Sequence, residues 1–372
     1  MSTATTHAHG VPINITSGTR SVNPADFEPI SALQEAWRFT PVAPLAVLEQ
    51  PEFAAAGISA AVPASVSVST GSPAGSFLPG DRLGATTRSR TAEATIVDIP
   101  HECVADSPLR VDIALAGGAP AFARVVVNAG AHSQSQLEVA VTGAGSGGVI
   151  VELNLDAGAH LTLTQLTDLG DESVAVVHVP AFLQRDSVLR SHTLTVAGAL
   201  VRVVPTVEYQ GPGADAGLAG AFIVGPGHHI EHRTLADHTV PNCRSHVAYK
   251  GVLGGQEQQR ARSVWIGDVL IHADATGTDT YELNRNLVLN EFARADSVPN
   301  LEIETGDIAG AGHASATGRL DDEQVFYLMS RGIDQTTATS LIVSGFFDDL
   351  LAQVPSEQMA ARVRERLAEV LT

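Results

Sequence analysis

The chain has 372 residues, 44% of them hydrophobic, which suffices for a large buried core and suggests a globular protein of two or three domains. Lysine and arginine total 22 against 41 aspartates and glutamates, a formal net charge of -19 that argues against nucleic acid and anionic lipid and suits basic partner surfaces. Only two cysteines occur, Cys103 and Cys243, too few for a disulfide framework or a four-thiolate metal site.

The opening stretch MSTATTHAHGVPINITSG has neither a basic n-region nor an apolar h-region. No later apolar run approaches the ~18 residues that span a bilayer, so a cytoplasmic protein without a membrane span is expected. Residues 1–95 read as an N-terminal region of short helical pieces and loops, the loops rich in Ser, Pro and Gly as in AAVPASVSVSTGSPAGSFLPGDR. Over 96–316 the texture changes to short alternating runs such as ARVVVNAG, SQLEVAV, GVIVELNL and HLTLTQL, parted by Gly, Asn and Asp, which predicts many strands.

These runs repeat. Asn128-Ala129-Gly130-Ala131-His132 recurs as Asp156-Ala157-Gly158-Ala159-His160, a shift of 28, and Arg185-Asp186-Ser187-Val188-Leu189 follows at a similar offset. A period of two or three strands with no helix between them suits a parallel β-helix better than the alternative, a β-sandwich.

Within this region His228-His229-Ile230-Glu231-His232 fits the H-x-x-E-H pattern of zinc peptidases. The pattern works on a helix, where residues four apart share a face; on a strand His228 and His232 would stand roughly 13 Å apart. Gly227 places the stretch just after a turn, in the same post-glycine position as Gly158-Ala159-His160, so an extended conformation is expected and the peptidase is the weaker alternative.

Residues 317–372 turn helical. Asp321, Asp334 and Ser356 can cap three helices, and Gly332 supplies a left-handed stop. The last helix carries Met359, Val363, Leu367 and Val370 on one stripe, expected to be an internal packing face.

At this point the residues resemble a family, the SufB/SufD proteins of the SUF iron–sulfur cluster assembly system, and within it the SufD branch. The likeness spans most of the chain, and is strongest over VPNCRSHVAYKGVL (240–253), TDTYELNRNLVLNEFARADSVPNLEIETGDI (278–308) and GHASATGRLDDEQVFYLMSRGI (312–333). QEAWRFTPV (34–42) and RDSVLRSHTLTVAGALVR (185–202) also fit. The resemblance implies a mainly β fold, a right-handed parallel β-helix core flanked by α-helical N-terminal and C-terminal regions. It further implies a non-catalytic scaffold subunit of a SufBCD complex, which pairs with SufB through the late β-helix strands and docks the SufC ATPase through its C-terminal helices. Unsatisfied β-helix edges would also allow a homodimer in isolation.

The resemblance places His313, in GAGHASATG, at the histidine that in SufD proteins faces the SufB interface near the proposed cluster-building site. Relatives usually carry a cysteine two residues earlier, where this chain has Ala311. Iron or a nascent cluster, not tightly bound by this chain alone, would then depend on His313 together with SufB side chains. Taken from its Gly/Ala-rich surroundings alone, His313 reads as a loop residue. Cys243, after a Pro-Asn turn, reads as a buried small hydrophobe and Cys103 as a strand residue. His238 and His246 flank Cys243 and could meet it through a turn, although spacing along a single strand keeps them apart, so a weak site there is the less favoured alternative. Lys250, the only lysine, reads as a strand-end charge on a solvated face. Asn284, Asn286 and Asn290 read as a structural ladder. No G-x-x-x-x-G-K-[ST] loop occurs, so nucleotide falls to SufC. A polysaccharide-acting β-helix enzyme would need sugar-stacking aromatics, against an aromatic content of 5%.

Overall fold

A computed structural model describes residues 18–73 and 77–371. The first 17 residues, read above for targeting signals, and residues 74–76 of the Ser/Pro/Gly-rich segment lie outside the described residues. Three 3-10 helices, Pro24–Asp26, Glu35–Trp37 and Ala43–Glu49, come first. Strands β1 (Ala54–Ala55), β2 (Gly57–Ala61) and β3 (Ser67–Gly71) and helix α1 (Arg82–Arg90) follow. The Ser/Pro/Gly-rich segment expected to be loop thus contains strands: β2 and β3 run antiparallel to the first solenoid strands and obtain backbone partners from them.

The sixteen strands that come next are β4 (Ala94–Ile99), β5 (Leu109–Ala114), β6 (Ala121–Ala129), β7 (Gln134–Gly143), β8 (Gly147–Leu155), β9 (His160–Leu169), β10 (Val174–Leu183) and β11 (Val188–Ala197), then β12 (Leu200–Tyr209), β13 (Asp215–Val224), β14 (His229–His238), β15 (Arg244–Leu253), β16 (Ala261–Ile271), β17 (Thr278–Val288), β18 (Ala293–Ile303) and β19 (Ile308–Arg319). Even strands stack in one sheet and odd strands in the other, each strand parallel to the one two places on. Two strands make one turn of a parallel β-solenoid of eight turns, the β-helix expected from the repeat.

A residue with left-handed backbone marks the corner after each even strand from β4 to β16: Glu102, His132, Gly158, Asp186, Gly213, Asn242 and Gly277. This fixes the repeat. Gly158 lies between Asp186 at the next corner, 28 residues on and at the similar offset expected, and His132 at the preceding corner, 26 back. The match of Gly130 with Gly158 was therefore out of register by two: Asn128 pairs with Asn154. Gly227 lies at the opposite corner, before an even strand, so its turn resembles that of Gly158 in conformation and not in place.

Inward positions of the early turns are aliphatic and fully buried, Val111, Val125, Val139, Val151, Leu163 and Val177 among them. Helix α2 (Asp322–Ser330) packs on α3 (Gln335–Leu351), and outward positions of the odd sheet are covered by α3 and α4 (Glu357–Leu371), whose Phe347, Met359, Val363 and Leu367 pack on Leu166, Leu194 and Ile223. The α4 stripe is thus a packing face. Asp321 and Asp334 accept hydrogen bonds from the Glu323 and Thr337 N–H groups, and Gly332 is left-handed, as expected. Ser356 engages α4 through its carbonyl, which accepts from the Ala360 N–H.

Candidate functional site

The solenoid stops at β18 and β19, and neither strand has a neighbour on its outer side among the described residues. Their backbone edges are free to pair, and most of their residues are half-buried or exposed. This open end is the candidate site.

Toward it the interior changes character. His232 on β14 lies wholly buried, its Nε2 3.0 Å from the Thr195 hydroxyl and its ring against Phe222 and Tyr249. Burial lowers its pKa to about 3, so it is neutral. Tyr249 on β15 and Trp265 on β16 continue the line, and the buried Trp265 indole N–H has no hydrogen-bond partner among the described residues. On β17 the buried positions are Thr278, Thr280, Glu282, Asn284, Asn286 and Val288, while Tyr281 and Arg285 face out.

Glu282 is 1% exposed, and neither of its carboxyl oxygens has a hydrogen-bond partner. Burial, with the charge of Asp268 adding to it, pushes the carboxyl up to about 8. A Cβ at Gly267 would lie 2.7 Å from Glu282 Oε1 and 2.3 Å from the Trp265 ring, so only glycine lets the indole and the carboxyl meet there.

His313 sits on β19 in register with Glu282, and register partners on parallel strands project to the same face. Two residues on, the Ser315 hydroxyl donates to Ser297 Oγ at 2.8 Å, linking β19 to β18. His313 therefore stands one strand above Glu282 at the mouth of the solenoid, exposed. It belongs to a strand and not to the loop its Gly/Ala surroundings suggested, because β17 supplies a complete parallel ladder for residues 310–319.

The H-x-x-E-H stretch is extended, as expected, and its three side chains diverge. His228 lies in the corner before β14, 3.5 Å from Asp171, whereas His232 points into the core. Glu231 points outward, where it receives hydrogen bonds from Arg202 and Thr40 and a contact from Arg233 at 3.0 Å. Burial opposes its charge, yet Arg202 and the other donors outweigh it and hold the carboxyl down at about 2. Arg202 also donates to the Ala36 carbonyl, and its guanidinium lies 4.1 Å from the centre of the Trp37 ring. Glu231 thus anchors QEAWRFTPV to the outer face of the even sheet, on the side opposite His232.

Cys243 is buried after left-handed Asn242, as expected. His238 donates or accepts with the Ser245 hydroxyl and stacks on Tyr209, and His246 faces Tyr281, so neither approaches the thiol as a ligand. Cys103 lies in the corner after β4 and not on a strand, because the chain turns at Glu102. Lys250 is not a solvated strand-end charge: it lies within β15, its side chain is 11% exposed, and it holds α3 through the Phe346 carbonyl, the Phe346 ring and Asp349. Asn290 clamps Gly255 through both backbone groups, a structural role, and Asn284 and Asn286 bond each other inside the solenoid.

Among the described residues no group of three or more His, Cys, Asp and Glu is placed to hold a metal ion, and no helix is long and apolar enough to cross a membrane. Exposed apolar side chains gather on α2, where Phe326 is 71% exposed and Tyr327 and Met329 accompany it, with Leu341 of α3 nearby in sequence. The sequence reading missed Glu282. Its signal was present in TDTYELNRN, where Thr, Glu and Asn alternate with Tyr, Leu and Arg, but periodicity alone would turn the Tyr and Leu side inward.

Residues 113–346 match the model of the SufBD core domain of SUF system iron–sulfur cluster assembly. The chain is 41% identical over 355 residues to a SufBD family iron–sulfur cluster assembly protein of Mycobacterium leprae, covering 92% of this chain and 89% of that protein. It is 29% identical over 219 residues to SufD of Escherichia coli, 58% of this chain and 51% of that one. It is also 23% identical over 208 residues to SufB of Bacillus subtilis, 56% and 44% respectively.

Proposed function

The chain belongs to the SufBD family of iron–sulfur cluster assembly proteins, and we propose that it acts there as a non-catalytic, SufD-like scaffold subunit in the cytoplasm. The observation that carries the proposal is the open end: two free strand edges flank a mouth at which His313 stands above a polar interior. A SufB solenoid adding strands to those edges would satisfy their backbone groups and enclose His313 between the two subunits. The imidazole would then contribute to binding iron or a nascent cluster as cargo, with the remaining ligands coming from SufB. The exposed apolar surface of α2 offers the docking face for the SufC ATPase, since a patch of that kind on a helix marks an interaction surface.

Co-expression with SufB and SufC tests this. The chain is expected to co-purify with both and to hydrolyse no ATP alone, and Phe326→Ala with Tyr327→Ala should release SufC while retaining SufB. His313→Ala is expected to fold, to keep both partners and to lose cluster maturation, with partial recovery in His313→Cys because a thiolate also binds iron. Recovery of neither partner, where SufB and SufC still associate with each other, would overturn the scaffold assignment. Normal maturation by His313→Ala would remove the ligand role.

A further inference from the structure

A carboxyl group inside a protein is expected to be paired, and Glu282 is not. It is fully buried, both oxygens lack donors, and no cationic side chain bonds to it among the described residues. Its carboxyl lies beside Gly267, with the Trp265 ring against the same glycine on the inward side of the last turns. Toward the open end the next residue in register is His313.

Resting on the assignment of the open end as the assembly site, we propose that Glu282 and His313 together hold one divalent first-row metal ion, ferrous iron as cargo, on this chain before any partner completes the site. Register partners on parallel strands lie about 4.8 Å apart, so a carboxylate and an imidazole stacked on adjacent strands can bracket one ion at bond lengths of about 2 Å each. A mixed imidazole and carboxylate pair suits iron or manganese better than magnesium or calcium, which prefer oxygen alone. Ser297 and Ser315 bond each other beside the mouth, and water or a partner's side chain would fill the ion's other positions. The ion supplies what the fold omits, a positive partner for the carboxylate, and its proton leaves to solvent on binding.

The probe is Mn2+, a stable stand-in for ferrous iron, titrated into the full chain and followed by electron paramagnetic resonance. The wild-type chain is expected to take up one Mn2+ whose signal carries coupling to an imidazole nitrogen. Glu282→Gln and His313→Ala should each weaken binding at least tenfold, the second abolishing the nitrogen coupling, and the double variant should bind no worse than either. Glu282→Met, apolar and of similar length, serves if the glutamine variant folds poorly. Unchanged binding by a folded Glu282 variant, with loss in His313→Ala, would overturn the role of Glu282 and leave His313 a ligand. Unchanged binding by both variants would overturn the two ligand roles together, while co-purification with SufB would still stand on its own.

Discussion

A carboxyl group enclosed without a donor weakens the fold that carries it, and Glu282 makes that weakness measurable. Its folded pKa of about 8 lies above the ordinary 4.5, so the native state keeps a proton that the unfolded chain releases. Its contribution to stability is therefore full below about pH 4.5 and is lost as pH rises toward 8, by on the order of a few kcal/mol. Glu282→Met is expected to raise the melting temperature at pH 8 and to flatten that decline, measured by thermal unfolding from pH 5 to pH 9. Lower stability of the variant at pH 8 would show that the carboxyl has a favourable partner. On the acid side His232 and His238, both held by burial near 3, act in the opposite sense. They withdraw stability as pH falls from 6.5, because the unfolded chain takes up protons they refuse.

Among the elements, the N-terminal 3-10 segment shows how a short motif and a distant strand define one another. Trp37 is buried with Leu45, Leu48 and Leu83 against Val174, Val176 and Leu200, and Arg202 and Glu231 bond its neighbours Ala36 and Thr40. Residues 34–42 stand out in the sequence as a motif, but nothing in them points to β12 and β14. Removing the indole deletes the centre of this contact, so Trp37→Ala should lose about 3–5 kcal/mol of docking free energy. Limited proteolysis should then cut residues 18–50 early while the far-ultraviolet spectrum keeps its strand signal. Equal protease resistance in the variant and the wild type would show that the segment is held by other contacts. The C-terminal helices make a similar distinction: the regular stripe of α4 packs on the solenoid, and the exposed apolar surface belongs to α2, a helix too short for its pattern to announce it.

Across the whole molecule the two ends differ. At the N-terminal end the short reversed strands β2 and β3 blunt the stack, whereas at the other end β18 and β19 run 11 and 12 residues with edges that are free among the described residues. Long free edges pair with whatever complementary strand is present. The isolated chain is therefore expected to dimerise reversibly with concentration, as sedimentation velocity would show, and added SufB should replace the second copy. A chain that stays monomeric throughout the micromolar range would mean that the edges are less available than their geometry implies. A net charge of -19 opposes such self-pairing, so the dimer should strengthen with salt, the reverse of an association with a basic partner.

Strand texture, the repeat of about 28 residues, the helical tail and its caps were legible in the sequence because each rests on local chemistry: alternation, turn residues and side chains that bond their own backbone. The family was legible through the long motifs around His313. The rest depended on which residues the coil stacks on one another. Two residues of register moved Gly158 from above Gly130 to above His132, and the same stacking set Glu231 and His232 on opposite faces, since neighbours on a strand must diverge. It also turned the polar side of β17 inward, against its local pattern, and placed Glu282 beneath His313, 31 residues away in the chain. A residue's place along the chain fixes its strand, but only the packed solenoid decides which distant side chain lies on the next strand, because that neighbour is set by the register of the coil and not by the local sequence.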